Sequence, residues 1–333
     1  MNVARTAVAL LALAAFVLLA GCGGDPAFTS GKVYLQQKDY ANAVVQLKVA
    51  IKNSPDAWEP YMWLGRTYAE TDELQLASEH LRAALDLSPD EKAAAECRNA
   101  ISFYTQMYRN EGNSKMEAAQ YEMALIEYEK ALVIDTENAN SLVNLGAAHQ
   151  NLGDHDAAID SYERAQKLDP ENESILGYLL DAYSYKAASL ASPGVEDYPG
   201  AIDYYERIEK VAPDFPDLMF NLGNMHYLSE HWRKAIDYFE RHLEGDDEDT
   251  DALSRVYYSY WKLAEQIWDL DEVLATEYYE KVIEAVQKLI ETDDTVSYHR
   301  MLQRIYLKLD RPEEAQAELD MIRVLLETGD SQD

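Results

Sequence analysis

Side chains able to hold a metal, move a proton or carry a covalent group are few in this chain, and they are scattered. Its histidines are His80, His149, His155, His226, His231, His242 and His299. None forms an HExxH pair, and no cysteines stand at metal-ligand spacing. The run from Glu244 to Asp251 is acidic enough for calcium. However, Ala252 and its successors do not supply the ligands of an EF-hand loop. The run reads instead as a solvated turn, with Thr250 or Asp251 capping the helix that follows. The glycines of GCGGDP follow an apolar run rather than a strand, and neither a GKS or GKT motif nor a GxSxG elbow occurs. With no converging acid–base pair, the sequence predicts a protein that is not an enzyme and calls for no cofactor and no metal. Two cysteines remain. Cys97, in the helical context KAAAECRNAISFY, is expected to be an inert packed thiol. Cys22 has different surroundings.

Arg5 is followed by an unbroken small-and-apolar run from Ala7 to Ala20 and then by Gly21. A bilayer-spanning helix needs about 20 residues and the core of a signal peptide about 7 to 15, so this run predicts a signal peptide over residues 1–21. Leu19-Ala20-Gly21-Cys22 resembles the lipobox of bacterial lipoproteins. That resemblance implies cleavage before Cys22 and acyl chains, palmitate among them, on its mature end. Gly23, rather than Asp, implies the periplasmic face of the outer membrane. The outer face of the cytoplasmic membrane is the alternative address, and an ordinary secretory signal is the alternative reading of the segment.

The elements that must position any site are helices. Only 14 Gly and 10 Pro interrupt 333 residues rich in Ala, Leu, Glu, Gln and Lys. Against 29 Lys and Arg stand 61 Asp and Glu, a formal charge of −32. Such a field repels nucleic acid and anionic lipid, so membrane contact is expected through the anchor alone and partners are expected to be basic or neutral proteins or peptides. Tyrosine, at 24 residues, dominates the aromatic set, which favours rings with one wet edge at packed surfaces.

Gly31, Tyr34, Ala43, Ala50 and Pro55 recur as Gly65, Tyr68, Ala77, Ala84 and Pro89, each displaced by 34 residues. Leu145, Gly146, Ala158, Tyr162, Ala165 and Pro170 fill the same slots further on, as do Leu222, Gly223, Trp232, Ala235 and Phe239. This pattern resembles the tetratricopeptide repeat, a helix–turn–helix module in which small residues let two helices approach and Pro ends the second. The resemblance implies an all-α fold, a right-handed superhelical solenoid of about eight repeats. Their spans are about 24–57, 58–91, 92–138, 139–172, 173–215, 216–249, 250–295 and 296–329, within a solenoid over 22–329 followed by a tail at 330–333. His149 and His226 share a slot, where a ring packed between helices competes with a metal ligand.

The third, fifth and seventh repeats are too long. RNEGNSK at 109–115 reads as the turn between the helices of the third, ASLASPGVED as a loop in the fifth, and QIWDLDEVLATEYY as continued helix in the seventh. All three extensions would then lie on one edge, as a binding face or as neutral surface loops. Leu180 and Tyr257 stand where the fifth and seventh want a small residue, which predicts splayed hairpins.

In the repeat family the first helices line a binding groove. Carried onto this chain, the groove positions are Arg66, Asn140, Phe220, Asn224, Tyr227, Tyr258, Trp261 and Lys262. Either these rings anchor a peptide or some of them pack between repeats. The basic clamp of chaperone-binding relatives is not reproduced by Phe28 and Lys32, or by Phe220 and Asn224. The resemblance implies a lipid-anchored scaffold or adaptor in an envelope complex. The alternative is a component that binds a cell-wall peptide or glycan for transport. The last helix carries Ala315, Leu319, Ile322 and Leu326 on one stripe with Met321, Val324 and Leu325 off it. It could dock a second copy or fold onto its neighbour.

Overall fold

The computed structural model describes residues 25–328, so the expected signal peptide, Cys22 and the tail lie outside the described residues. Every regular element within them is an α-helix. In order these are α1 (Pro26–Gln36), α2 (Tyr40–Asn53), α3 (Trp58–Glu70), α4 (Leu74–Asp86), α5 (Glu91–Glu117), α6 (Tyr121–Ile134), α7 (Ala139–Asn151), α8 (His155–Leu168), α9 (Glu173–Ala191), α10 (Tyr198–Val211), α11 (Leu218–Leu228), α12 (Trp232–Leu243), α13 (Thr250–Ile267), α14 (Glu272–Thr292), α15 (Val296–Lys308) and α16 (Pro312–Thr328). They follow one another as helix hairpins, odd-numbered helix first. No described helix is long and apolar enough to cross a membrane.

Aspartate starts many of these helices. Asp25, Asp39, Asp90, Asp154, Asp197 and Asp271 each accept a hydrogen bond from a backbone N–H of the following turn. Part of the chain's acidity therefore caps helices and meets the positive end of their dipoles. The turn inside six of the hairpins contains one left-handed residue, at Lys38, Asp72, Ala119, Gly153, Glu230 and Asp310. Only Gly153 adopts it without steric cost.

Close helix approach fixes each hairpin. Gly31, Gly65, Gly112, Gly146 and Gly223 face Leu47, Leu81, Tyr128, Tyr162 and Phe239, and in every case an added Cβ would stand under 3.0 Å from the facing side chain. Ala43, Ala77, Ala124 and Ala235 on the second helices are fully buried. Each Leu or Phe sealed by this approach contributes about 1.5–3 kcal/mol of transfer free energy.

The chain divides between Leu179 and Leu180, inside α9, into two compact units. The first is organised around Leu47, Leu64, Leu81, Tyr104 and Ile134. In the second, Ala264, Tyr279, Val282, Val286 and Tyr306 form one cluster, and Phe239, Ala252 and Val256 belong to another.

Several local expectations are corrected. Residues 109–115 are not a turn: α5 runs unbroken from Glu91 to Glu117, and the hairpin closes around Ala119. Gly112 is the small residue of that helix, packed on Tyr128, so the third repeat is extended at the start of its first helix. A helix can lengthen there without moving the point where the pair crosses. The third extension therefore does not lie at the hairpin turn, where all three were expected to share an edge. In the fifth repeat α9 continues to Ala191, so the connection is only 192–197. In the seventh, the fully buried Ala264 lies in the cluster of Tyr279, while Tyr257 meets Tyr298 of α15 edge-on at 6.3 Å. With a small residue available about two turns later, that hairpin closes rather than splays. Asp249, not Thr250 or Asp251, caps α13, accepting from Asp251 N at 2.9 Å and Ala252 N at 3.0 Å. On α16 the buried set is Ala315, Ile322 and Leu325, whereas Leu326 is exposed with Met321 and Val324.

Candidate functional site

The first helix of a hairpin buries one side on its partner and leaves another side to the solvent, so functional side chains are sought there. In the first unit, the Arg66 guanidinium lies 4.6 Å from the centre of the Trp63 ring. Trp63 also receives Lys32 Nζ at 4.9 Å, and Lys32 covers Phe28 at 5.3 Å. Arg66, Met62, Glu96 and Phe103 border a cleft of about 270 Å³. Beside it Tyr104 donates to Glu70 Oε1 at 3.0 Å, and burial together with that carboxylate pushes its hydroxyl up to about 12. Asn140 does not join this cleft and is exposed at the start of α7. One turn on, Asn144 donates to Asn113 Oδ1 at 2.9 Å, an oxygen that also accepts from the Tyr128 hydroxyl at 2.8 Å.

The remaining six predicted residues lie in the second unit and form a connected cluster. Phe220 of α11 meets Phe239 edge-on at 5.7 Å and His242 at 5.4 Å. Tyr227 lies 5.6 Å from Trp232 and 5.7 Å from Tyr258, and Tyr258 lies 5.5 Å from Trp261. Lys262 Nζ stands 5.3 Å from both the Tyr258 and Trp261 rings. Burial, first, and then the neighbouring Tyr258 push the Tyr227 hydroxyl up. All six side chains are half-buried. The two alternatives for these rings therefore coexist: their edges pack between α11, α12 and α13 while part of each stays accessible.

Arg255 organises the cluster, and no motif in the sequence marks it. Its guanidinium lies 5.6 Å from both the Phe220 and Tyr227 rings and donates from Nη1 to Asn224 Oδ1 at 2.9 Å. Asn224 is thus occupied by a neighbouring helix. Arg255 Nε is buried without a hydrogen-bond partner.

Two further clefts border the seventh hairpin. One, of about 300 Å³, is lined by Trp261, Glu265, Tyr279 and the cations Arg300, Arg304 and Lys308. The other, of about 520 Å³, presents Tyr260 and Tyr278 with Glu277, Glu280, Glu284 and Lys281. The first was legible as the four-residue spacing of its cations along YHRMLQRIYLK, one helical turn apart.

Among the described residues no group of three or more His, Cys, Asp or Glu side chains could hold a metal ion. His226 is buried and stacked on Tyr238 at 5.5 Å, with neither ring nitrogen hydrogen-bonded. His149 is half-buried, 3.9 Å from Asp154. Cys97 is fully buried with Sγ 3.6 Å from Ser88 Oγ, and burial pushes its thiol up.

Comparison with known proteins agrees with the repeat geometry. Residues 139–172 and, under a second model, 28–92 and 194–250 match tetratricopeptide repeat families. The chain carries tetratricopeptide repeats. The C-terminal part of a TPR repeat-containing protein from Cytophaga hutchinsonii aligns at 17% identity and TM-score 0.37, covering 90% of this chain and 95% of that one. YrrB, described as a TPR protein with an unusual peptide-binding site, aligns at 21% identity and TM-score 0.33, covering 54% and 84%. PilW, described as a widely conserved type IV pilus biogenesis factor, aligns at 16% identity and TM-score 0.32, covering 66% and 92%. Proteins built from this repeat generally mediate protein–protein interactions and are generally non-catalytic.

Proposed function

We propose that this chain is a lipid-anchored, non-catalytic adaptor that holds protein or peptide partners in a bacterial envelope complex. Its tether is Cys22, and its address is the periplasmic face of the outer membrane. The observation that carries the adaptor reading is the cluster of half-buried Tyr227, Tyr258 and Trp261 packed about the buried Trp232, with Arg255 and Lys262 against its rings. Rigid rings already ordered by their neighbours lose little entropy when a partner covers them, which makes them effective anchors. The Leu19–Cys22 motif supports the tether.

Pulldown from detergent-solubilised membranes, comparing the native chain with a Tyr258→Ala/Trp261→Ala variant, tests the adaptor. At least one partner is expected to be lost, with the helical circular dichroism preserved; an identical partner set from both refutes the reading. Stabilisation by muropeptides or glycans, without any protein partner, would favour the cell-wall-ligand alternative. Labelling with a palmitate analogue should vanish in Cys22→Ser, and persistent labelling removes the anchor.

A further inference from the structure

The seventh and eighth hairpins meet at a cleft whose charge opposes that of the chain as a whole. Its floor includes Tyr279, and one wall is Trp261 and Glu265 of α13; the other is Arg300, Arg304 and Lys308 of α15. The three cations stand on consecutive turns, and the two arginines are exposed without an ion pair. Carboxylates outnumber cations by 61 to 29 in the chain. Arg311, just beyond on the same hairpin, shows how readily a cation finds partners here, pairing with Glu280 at 2.7 Å and Glu314 at 2.8 Å. Lys308 Nζ lies over the Trp268 and Tyr279 rings, at 4.6 and 5.4 Å. Those faces hold an ammonium but leave its charge uncompensated. With Glu265 the only acidic side chain lining it, the cleft keeps a net positive charge.

We propose that this cleft binds an acidic peptide segment in extended conformation, its carboxylates on α15 and an apolar side chain on Trp261. The proposal rests on the adaptor reading and names the partner's chemistry. The spacing supports it: residues four apart on a helix are separated by about 6 Å, and alternate residues of an extended chain project to the same side about 6.6 Å apart. Acidic residues at alternate positions therefore fall in register with Arg300, Arg304 and Lys308, while the intervening side chains face away or toward the ring. Arginine suits this role, because its planar fork takes a carboxylate through two parallel hydrogen bonds. The general expectation of basic or neutral partners follows from the summed field; here the local arrangement reverses it. The long-range repulsion of the chain opposes the encounter, so binding is expected to be modest and confined to this cleft.

The test uses the full chain in detergent and a fluorescein-labelled peptide carrying glutamates at three alternate positions around leucines, followed by fluorescence anisotropy. The acidic peptide is expected to bind, and its all-glutamine counterpart to bind at least about tenfold more weakly. Arg300→Glu/Arg304→Glu should weaken the acidic peptide by about tenfold or more. Lys52→Glu/Lys167→Glu, which changes the net charge equally from exposed sites elsewhere, should leave it unaltered. Equal binding of the two peptides, an unaffected Arg300→Glu/Arg304→Glu variant, or no binding of the acidic peptide would each overturn the proposal. So would anionic vesicles binding in place of the peptide. If the peptide fails while Tyr258→Ala/Trp261→Ala still loses a partner, the adaptor reading survives and this inference alone falls.

Discussion

Replacing Gly112 by alanine sets two effects of known size against each other. In isolation the change favours the helix, since glycine inside α5 costs about 1 kcal/mol relative to alanine. Here the new Cβ would stand 2.7 Å from Tyr128 Cδ1, and nearer still to Cε1. Tyr128 is 1% exposed and its hydroxyl donates to Asn113 Oδ1 at 2.8 Å, so the ring is gripped at both ends and has nowhere to withdraw. Overpacking of this kind costs about 1–3 kcal/mol. Because the clash is with a rigid ring, we take the upper part of that range, and the net expectation is a loss of about 1–2 kcal/mol. Gly177, on α9 in the same unit, has nothing within 4 Å of its Cβ position, so Gly177→Ala should gain about 0.5–1 kcal/mol. Repeat arrays unfold locally as well as globally. The assay is therefore native-state hydrogen exchange followed on peptides from α5, α6 and α9, with urea titration alongside. Protection in α5 and α6 should fall in Gly112→Ala, and protection in α9 should rise in Gly177→Ala. A Gly112→Ala protein as protected as the native chain would refute the claim that this contact sets the hairpin.

Two histidines of the second unit give opposite pH dependence. Burial, then the positive charges of Lys234 and His231, lower His226 to about 4, so it folds neutral; stability is complete above the ordinary histidine range and falls as the pH drops through it toward about 4. His226→Phe, which keeps the stack on Tyr238, should flatten that acid limb in thermal melts; an unchanged limb refutes it. Burial also pulls His299 down, but hydrogen bonds to Glu318 and Asp294, the latter at 2.7 Å, outweigh it and raise its pKa. Its stabilisation is complete below the ordinary histidine range and is lost as the pH rises through the raised value, so His299→Gln should cost less at pH above about 8 than near about 6. Equal cost at both would sink the pairing. Cys97, buried with a raised pKa, should react with maleimide only as fast as its hairpin opens, and stoichiometric labelling within seconds under native conditions would contradict its packing.

What the sequence by itself determined was whatever repeats. A Gly followed sixteen residues later by Leu, Tyr or Phe, with Ala between them, recurs at Gly31, Gly65, Gly146 and Gly223 because each hairpin must solve the same packing problem. Periodicity alone therefore specified helices, hairpins and the faces they bury. It fails where a repeat departs from 34 residues: it makes the glycine of the third part of a turn and assigns Tyr257 to the slot that Ala264 fills. Inserted helical residues leave the local chemistry unchanged, so only the observed crossing point tells which end has grown. The aromatic members of the second-unit cluster could be read from their slots. Arg255, which holds Phe220, Tyr227 and Asn224 together, could not, because its partners come from another helix. Charge divides in the same way. Composition fixed a strongly acidic molecule, but which cations remain without carboxylates depends on which side chains face each other across α13 and α15, and only tertiary structure decides that.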